Sequence, residues 1–157
     1  MSLENNKLIV RKYIEEVINT GNIDEIENYI SPDYTEDFEG KRYKIGIDGA
    51  KEHVKGVRNT YKNLHLTIEK QIAEGDWVVS CITAKGIHNG KWMGIKPTGK
   101  KVTFTGVNID RVINKKIVEH GGAANLFHAT RNEYQKKISQ LNHKKSITRN
   151  NHRKRSL

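Results

Sequence analysis

Between Asn5 and Thr20 the apolar residues Leu8, Ile9, Tyr13, Ile14, Val17 and Ile18 recur at helical spacing. They predict an amphipathic helix that Gly21 stops. Asn22 to Ile30 follows with an N-cap candidate in Asn22, acids in its first turn, and Ile23, Ile26 and Ile30 on one face. That pattern predicts a short second helix ending at Ser31-Pro32. After a loop that includes Asp33 to Arg42, the helical period returns from Gly49 to Lys62 through His53, Val54, Val57 and Tyr61. Beyond Asn63 the period becomes that of a strand, with Leu64, Leu66, Ile68 and Ile72 alternating with His65, Thr67, Glu69 and Gln71. A turn at Glu74-Gly75-Asp76 leads to Trp77–His88, apolar on both alternating sets as in a strand covered on both faces. A glycine-rich connection, 89–100, separates this strand from another at 101–113, and Asn114-Lys115 reads as a two-residue hairpin loop before a last strand at 117–126. Three helices followed by four antiparallel strands make an α+β fold, a curved antiparallel sheet with three N-terminal helices on one face.

The length of 157 residues suits one domain able to bury its own core. The formal charge of +10 does not belong to that domain. Residues 131–157 hold nine of the 28 Lys and Arg against Glu133 alone, leaving a nearly balanced 19 against 17 in residues 1–130. The expected organisation is therefore a domain at 1–130 and a basic tail at 131–157, the latter able to make weak contacts with anionic polymers. No apolar run reaches the roughly 20 residues of a membrane span, and MSLENNKLIV lacks the apolar core of a signal peptide, so a cytoplasmic location is expected. Cys81 is the one cysteine; it lies in an apolar strand with no neighbour to activate it, and reads as core filler. The histidines show no metal-ligand spacing, and neither metal nor cofactor is expected.

Four segments carry a resemblance: 73–79 (AEGDWVV), 85–90 (KGIHNG), 93–100 (MGIKPTGK) and 117–120 (IVEH). In order and spacing they resemble the SnoaL-like polyketide cyclases, members of the nuclear-transport-factor-2-like group of cone-shaped α+β folds. The resemblance runs from about Asn5 to Leu126. It implies a conical sheet with the helices on its concave face, a pocket for a small hydrophobic molecule, a homodimer, and metal-free acid–base catalysis that closes rings on carbonyl compounds. This chain departs from that pattern at the end of the last segment. Where those cyclases place Trp after Glu-His, and four residues later an acid–base aspartate, it has Gly121 and Asn125. An amide does not shuttle protons near neutral pH.

If the hairpin keeps the register of a two-residue loop, Asp110 faces Glu119 and Asn108 faces Gly121, and Phe104, Asn108, Asp110, Glu119, Gly121 and Asn125 share one face. Opposed carboxylates repel, which raises one pKa and makes Asp110 or Glu119 a candidate proton carrier. His120 and His88 lie within the family segments and could relay protons, His88 from the rim. Asn108 and Asn125 are candidate donors to a substrate oxygen. Phe104 and Trp92 supply aromatic surface, Trp92 on a loop that reads either as a flap over the pocket or as part of the core or a dimer seam. Two functions stay open at this point. One is an ester cyclase, hydratase or isomerase acting on an apolar carbonyl compound, with Asp110, Glu119 and His120 catalytic. The other is a non-catalytic ligand-binding or dimerisation domain, which Asn125 favours.

Overall fold

The computed structural model describes residues 2–38, 40–91 and 95–125. Helix α1 spans Leu3–Lys12 and is capped by Ser2, whose Oγ accepts from the Asn5 amide at 3.2 Å. It continues into a π-helical turn, Tyr13–Ile18, and stops at Gly21, whose φ is +79°. The wider turn lets Tyr13, Ile14 and Val17 all face inward behind Val10. A single 3₁₀ turn, Ile23–Glu25, precedes α2, Ile26–Tyr29, and α3 runs from Gly46 to Thr60.

The sheet has six strands rather than four: β1 Ile30–Phe38, β2 Lys41–Lys44, β3 Tyr61–Glu74, β4 Trp77–His88, β5 Lys101–Ile113 and β6 Lys116–Asn125, ordered β2-β1-β6-β5-β4-β3. The stretch expected as a loop is thus a hairpin. It escapes the alternation test because Pro32 and four acids interrupt it, and because its register against β6 shifts between Ile30 and Thr35. β1 also pairs in parallel with β6, so the sheet is mixed rather than wholly antiparallel. The cause is connectivity, since α3 and four further strands separate the two in sequence and let them run the same way.

Two irregularities in β3, at 62–65 and 68–70, bend its pairing with β4, and Asn63 adopts a φ of +57° at the first. The sheet curls around the helices, and the core forms on its concave side from Val10, Ile14, Val17, Ile26, Ile30, Val54, Val78, Val112 and Ile117. The expected α+β cone with three N-terminal helices on its concave face is the fold observed. Among the described residues no helix is long and apolar enough to cross a membrane. The expected 130/131 domain boundary and the basic tail lie outside the described residues, as does Trp92.

Candidate active site

The β5–β6 hairpin decides which side chains meet. Asn114 and Lys115 both take positive φ, +50° and +64°, as a two-residue turn matched to strand twist requires. Val112 pairs with Ile117 as the tight loop dictates, but the next pair is Arg111 with Glu119. Val118 is the extra residue of a β-bulge, and every later partner is displaced by one. Asp110 therefore lies opposite His120, Asn108 opposite Gly122, and the Asn125 backbone opposite Thr105 rather than Phe104. A one-residue slip exchanges faces. It brings His120 to the concave side beside Asp110 and sends Glu119 to the other face with Arg111. The expected opposition of Asp110 and Glu119 is not formed.

Between sheet and helices lies a cavity of about 300 Å³. Its body is apolar, from Ile18, Val54, Val57, Leu66, Ile82 and Phe104, and its polar end holds Glu36, His53, Asn108 and His120. Gly121 and Gly122 line the same end and leave it open by contributing no side chain. Asp110 is buried behind His120, with Oδ1 2.8 Å from the ring Nδ1. Glu36 approaches His53 Nδ1 with both oxygens, at 2.6 and 2.8 Å, and its Oε1 accepts from the Tyr34 hydroxyl at 3.1 Å. The two imidazoles meet edge to face with centroids 6.5 Å apart. The Asn108 side chain makes no hydrogen bond to another described residue and is open to a ligand.

Electrostatics sort these groups. Burial alone would lower the His120 pKa, but the charge of Asp110, its hydrogen bond and the charge of Glu36 outweigh burial and raise it above the ordinary histidine value. Burial pushes the other way on Glu36, yet the bond and charge of His53, the charge of His120 and the Tyr34 hydroxyl hold its carboxyl below the usual range. Burial, with the nearby charges of Asp110 and Glu36, raises both Tyr13 and Tyr34, so each phenol keeps its proton.

Of the residues anticipated from sequence, Asp110, His120, Asn108 and Phe104 come together here. Glu119 does not: it is buried on the other face and bonded to Arg42 at 2.5 Å. Nor does His88, which is buried at the end of β4, with Nδ1 3.2 Å from Thr98 Oγ1 and its ring against Tyr61, outside the cavity lining. Glu36, His53, Tyr13 and Tyr34 were missed. His53 could have been found, since it is a histidine in the apolar stripe of α3, whereas Glu36 was hidden in an unrecognised strand.

A conical α+β shell whose apolar cavity closes on paired histidines and carboxylates defines a small-molecule pocket protein built around exchangeable protons. The chain belongs to the SnoaL-like polyketide cyclase family, which matches residues 8–132. It is 30% identical over 104 residues to nogalonic acid methyl ester cyclase of Streptomyces nogalater, spanning 65% of this chain and 78% of that one. It is 29% identical over 116 residues to aklanonic acid methyl ester cyclase of Streptomyces galilaeus, spanning 71% and 78%. A crystal structure of a SnoaL-like polyketide cyclase from Agrobacterium tumefaciens superposes with a TM-score of 0.72 over 84% of this chain and 98% of that one, at 14% identity, and shares the fold.

Proposed function

We propose that the protein is a ring-closing enzyme acting on an enolisable, esterified carbonyl compound. The observation that carries this reading is the buried Asp110 holding His120 at the polar end of an apolar cavity. Family membership and the methyl ester cyclases among its relatives support it. An intramolecular aldol closure removes a proton from carbon, joins that carbon to a carbonyl carbon, and delivers a proton to the carbonyl oxygen. With Nδ1 engaged by Asp110, His120 offers Nε2 for that delivery. Its raised pKa keeps the imidazolium populated near neutrality. Asn108 adds a donor to the same oxygen, and Phe104 and the aliphatic walls hold the rest of the substrate away from water. This assignment moves the proton carrier off residue 125, where an amide cannot serve.

Nogalonic acid methyl ester is the first probe. Aldol closure conserves mass, so a new chromatographic peak of unchanged mass is the expected product. Tight binding without conversion would favour the non-catalytic reading. Asp110→Asn removes the charge and the hydrogen bond that do most to raise His120, leaving only the charge of Glu36 against burial, which lowers it. Because the donor is the protonated form, the alkaline limb of kcat/KM should move to lower pH and the rate near neutrality should fall. An unmoved limb would dissociate Asp110 from the chemistry.

The same reading includes a homodimer. The convex face exposes Ile72, Trp77, Val107 and Ile109, which the strand registers place on one side, with the Arg111 guanidinium 5.5 Å from the Trp77 ring centroid. Exposed apolar area of this kind favours burial against a second copy. Light scattering at micromolar concentration should return twice the chain mass, and Ile109→Glu should shift it toward the monomer.

A further inference from the structure

Ring closure needs a base at carbon as well as a donor at oxygen, and His120 fills only the second role. We propose that His53, held by Glu36, is the base that takes the carbon-bound proton, an assignment that rests on the ring-closure reading. His53 repeats the arrangement of His120. Each ring has Nδ1 occupied by a carboxylate, each lines the same end of the cavity, and neither Nε2 has a hydrogen-bond partner among the described residues. The rings come from different walls, α3 and β6, and meet at 6.5 Å between centroids, so one small substrate fragment can lie against both.

The surroundings fit a working base rather than a surface ion pair. The Glu36 carboxylate spans Nδ1 with both oxygens and is itself fixed by the Tyr34 hydroxyl, so the ring orientation is set. Glu36 is thus a positioning residue. The His53 side chain keeps 40% of its surface exposed against 26% for His120, which gives its captured proton a route to water. The charged and titratable groups around it are Glu36, Asp37 and Tyr34 on β1, His120 on β6 with Asp110 behind it on β5, and Tyr13 on the π turn. β3 presents Leu64 and Leu66 there, and the residues one turn away on α3 are Gly49, Ala50, Gly56 and Val57. Among the described residues no lysine or arginine lines the cavity.

The step balances. His53 Nε2 takes the proton, the electron pair of the C–H bond forms the C–C bond to the carbonyl carbon, and the carbonyl oxygen takes the Nε2 proton of His120. His53 ends as the imidazolium and His120 neutral, and the proton returns to His120 through water.

The test follows carbon deprotonation separately from closure. Nogalonic acid methyl ester is incubated with the full chain in D₂O, and deuterium entry at carbon is read by mass spectrometry beside product formation. His53→Gln should lose exchange by about 10²- to 10⁴-fold and lose the acidic limb of the pH–rate profile. Glu36→Gln should lose less and move that limb, while His120→Gln should reduce closure by a larger factor than exchange. Circular dichroism checks that each variant is folded, and Glu36→Gln carries the test if His53→Gln is not. Wild-type exchange without closure that is lost in folded His53→Gln would support His53 as the base while refuting ring closure. Wild-type protein that does not exchange at all, or folded His53→Gln that exchanges at the wild-type rate with its acidic limb intact, would overturn the assignment.

Discussion

Replacing His120 with glutamine is expected to lower kcat/KM for nogalonic acid methyl ester by about 10²- to 10⁴-fold, the usual contribution of a positioned acid–base group. Glutamine keeps a polar side chain of similar reach but cannot be charged near neutrality, so it separates proton delivery from hydrogen bonding. Most of the loss should fall on kcat, because the proton moves only as the oxygen gains charge. The apolar walls that bind the substrate are untouched, and KM should change little. The substitution also leaves Asp110 buried without its histidine, so thermal stability should drop modestly as well. A variant that retained wild-type kcat would refute the role of the Asp110–His120 pair.

The largest effect on stability is expected at Gly122. A Cβ there would stand 2.3 Å from the Val107 carbonyl oxygen and 3.3 Å from the Asn108 Cα, both backbone atoms of the paired strand β5. Side chains can rotate away from such a contact, but a hydrogen-bonded backbone cannot. Gly122→Ala must therefore spread the β5–β6 ladder beside the bulge. The expected cost is about 1–3 kcal/mol from overpacking, with a fall in Tm on the order of 5–10 °C. Activity should decline beyond what stability explains, since the same movement displaces His120, two residues away on β6. Gly56 supplies the control, because a Cβ on this α3 position meets nothing within 4 Å. Gly56→Ala should stabilise the fold by about 0.5–1 kcal/mol. A Gly122→Ala protein melting with the wild type would mean that the strands at the bulge are looser than their register implies.

What the sequence determined by itself was local. The helical spacing of Tyr13, Ile14 and Val17 specified the first helical segment and most of its buried face, and Gly21 specified where it ends, although the face also takes in Val10 and leaves Leu8 exposed. The alternation in β3, the apolar run of β4 and the Asn114-Lys115 loop between the last two strands specified the long strands and their tight turn, because these patterns depend on neighbours a few residues apart. The family segments added the cone. Which residues would share the cavity was not local. A single bulge at Val118 turned His120 inward and Glu119 outward. Nothing in the composition of Ile117 to His120 marks that extra residue. It arises where β6 must pair with β5 on one side and with the irregular, proline-containing β1 on the other. Glu36 reached the site by the same route, since β1 lies opposite His120 only after the chain has passed through α3 and four strands. Side-chain periodicity reads out which face a strand could bury, but register against a distant strand is set by packing summed over the whole sheet, and that sum exists only in the folded chain.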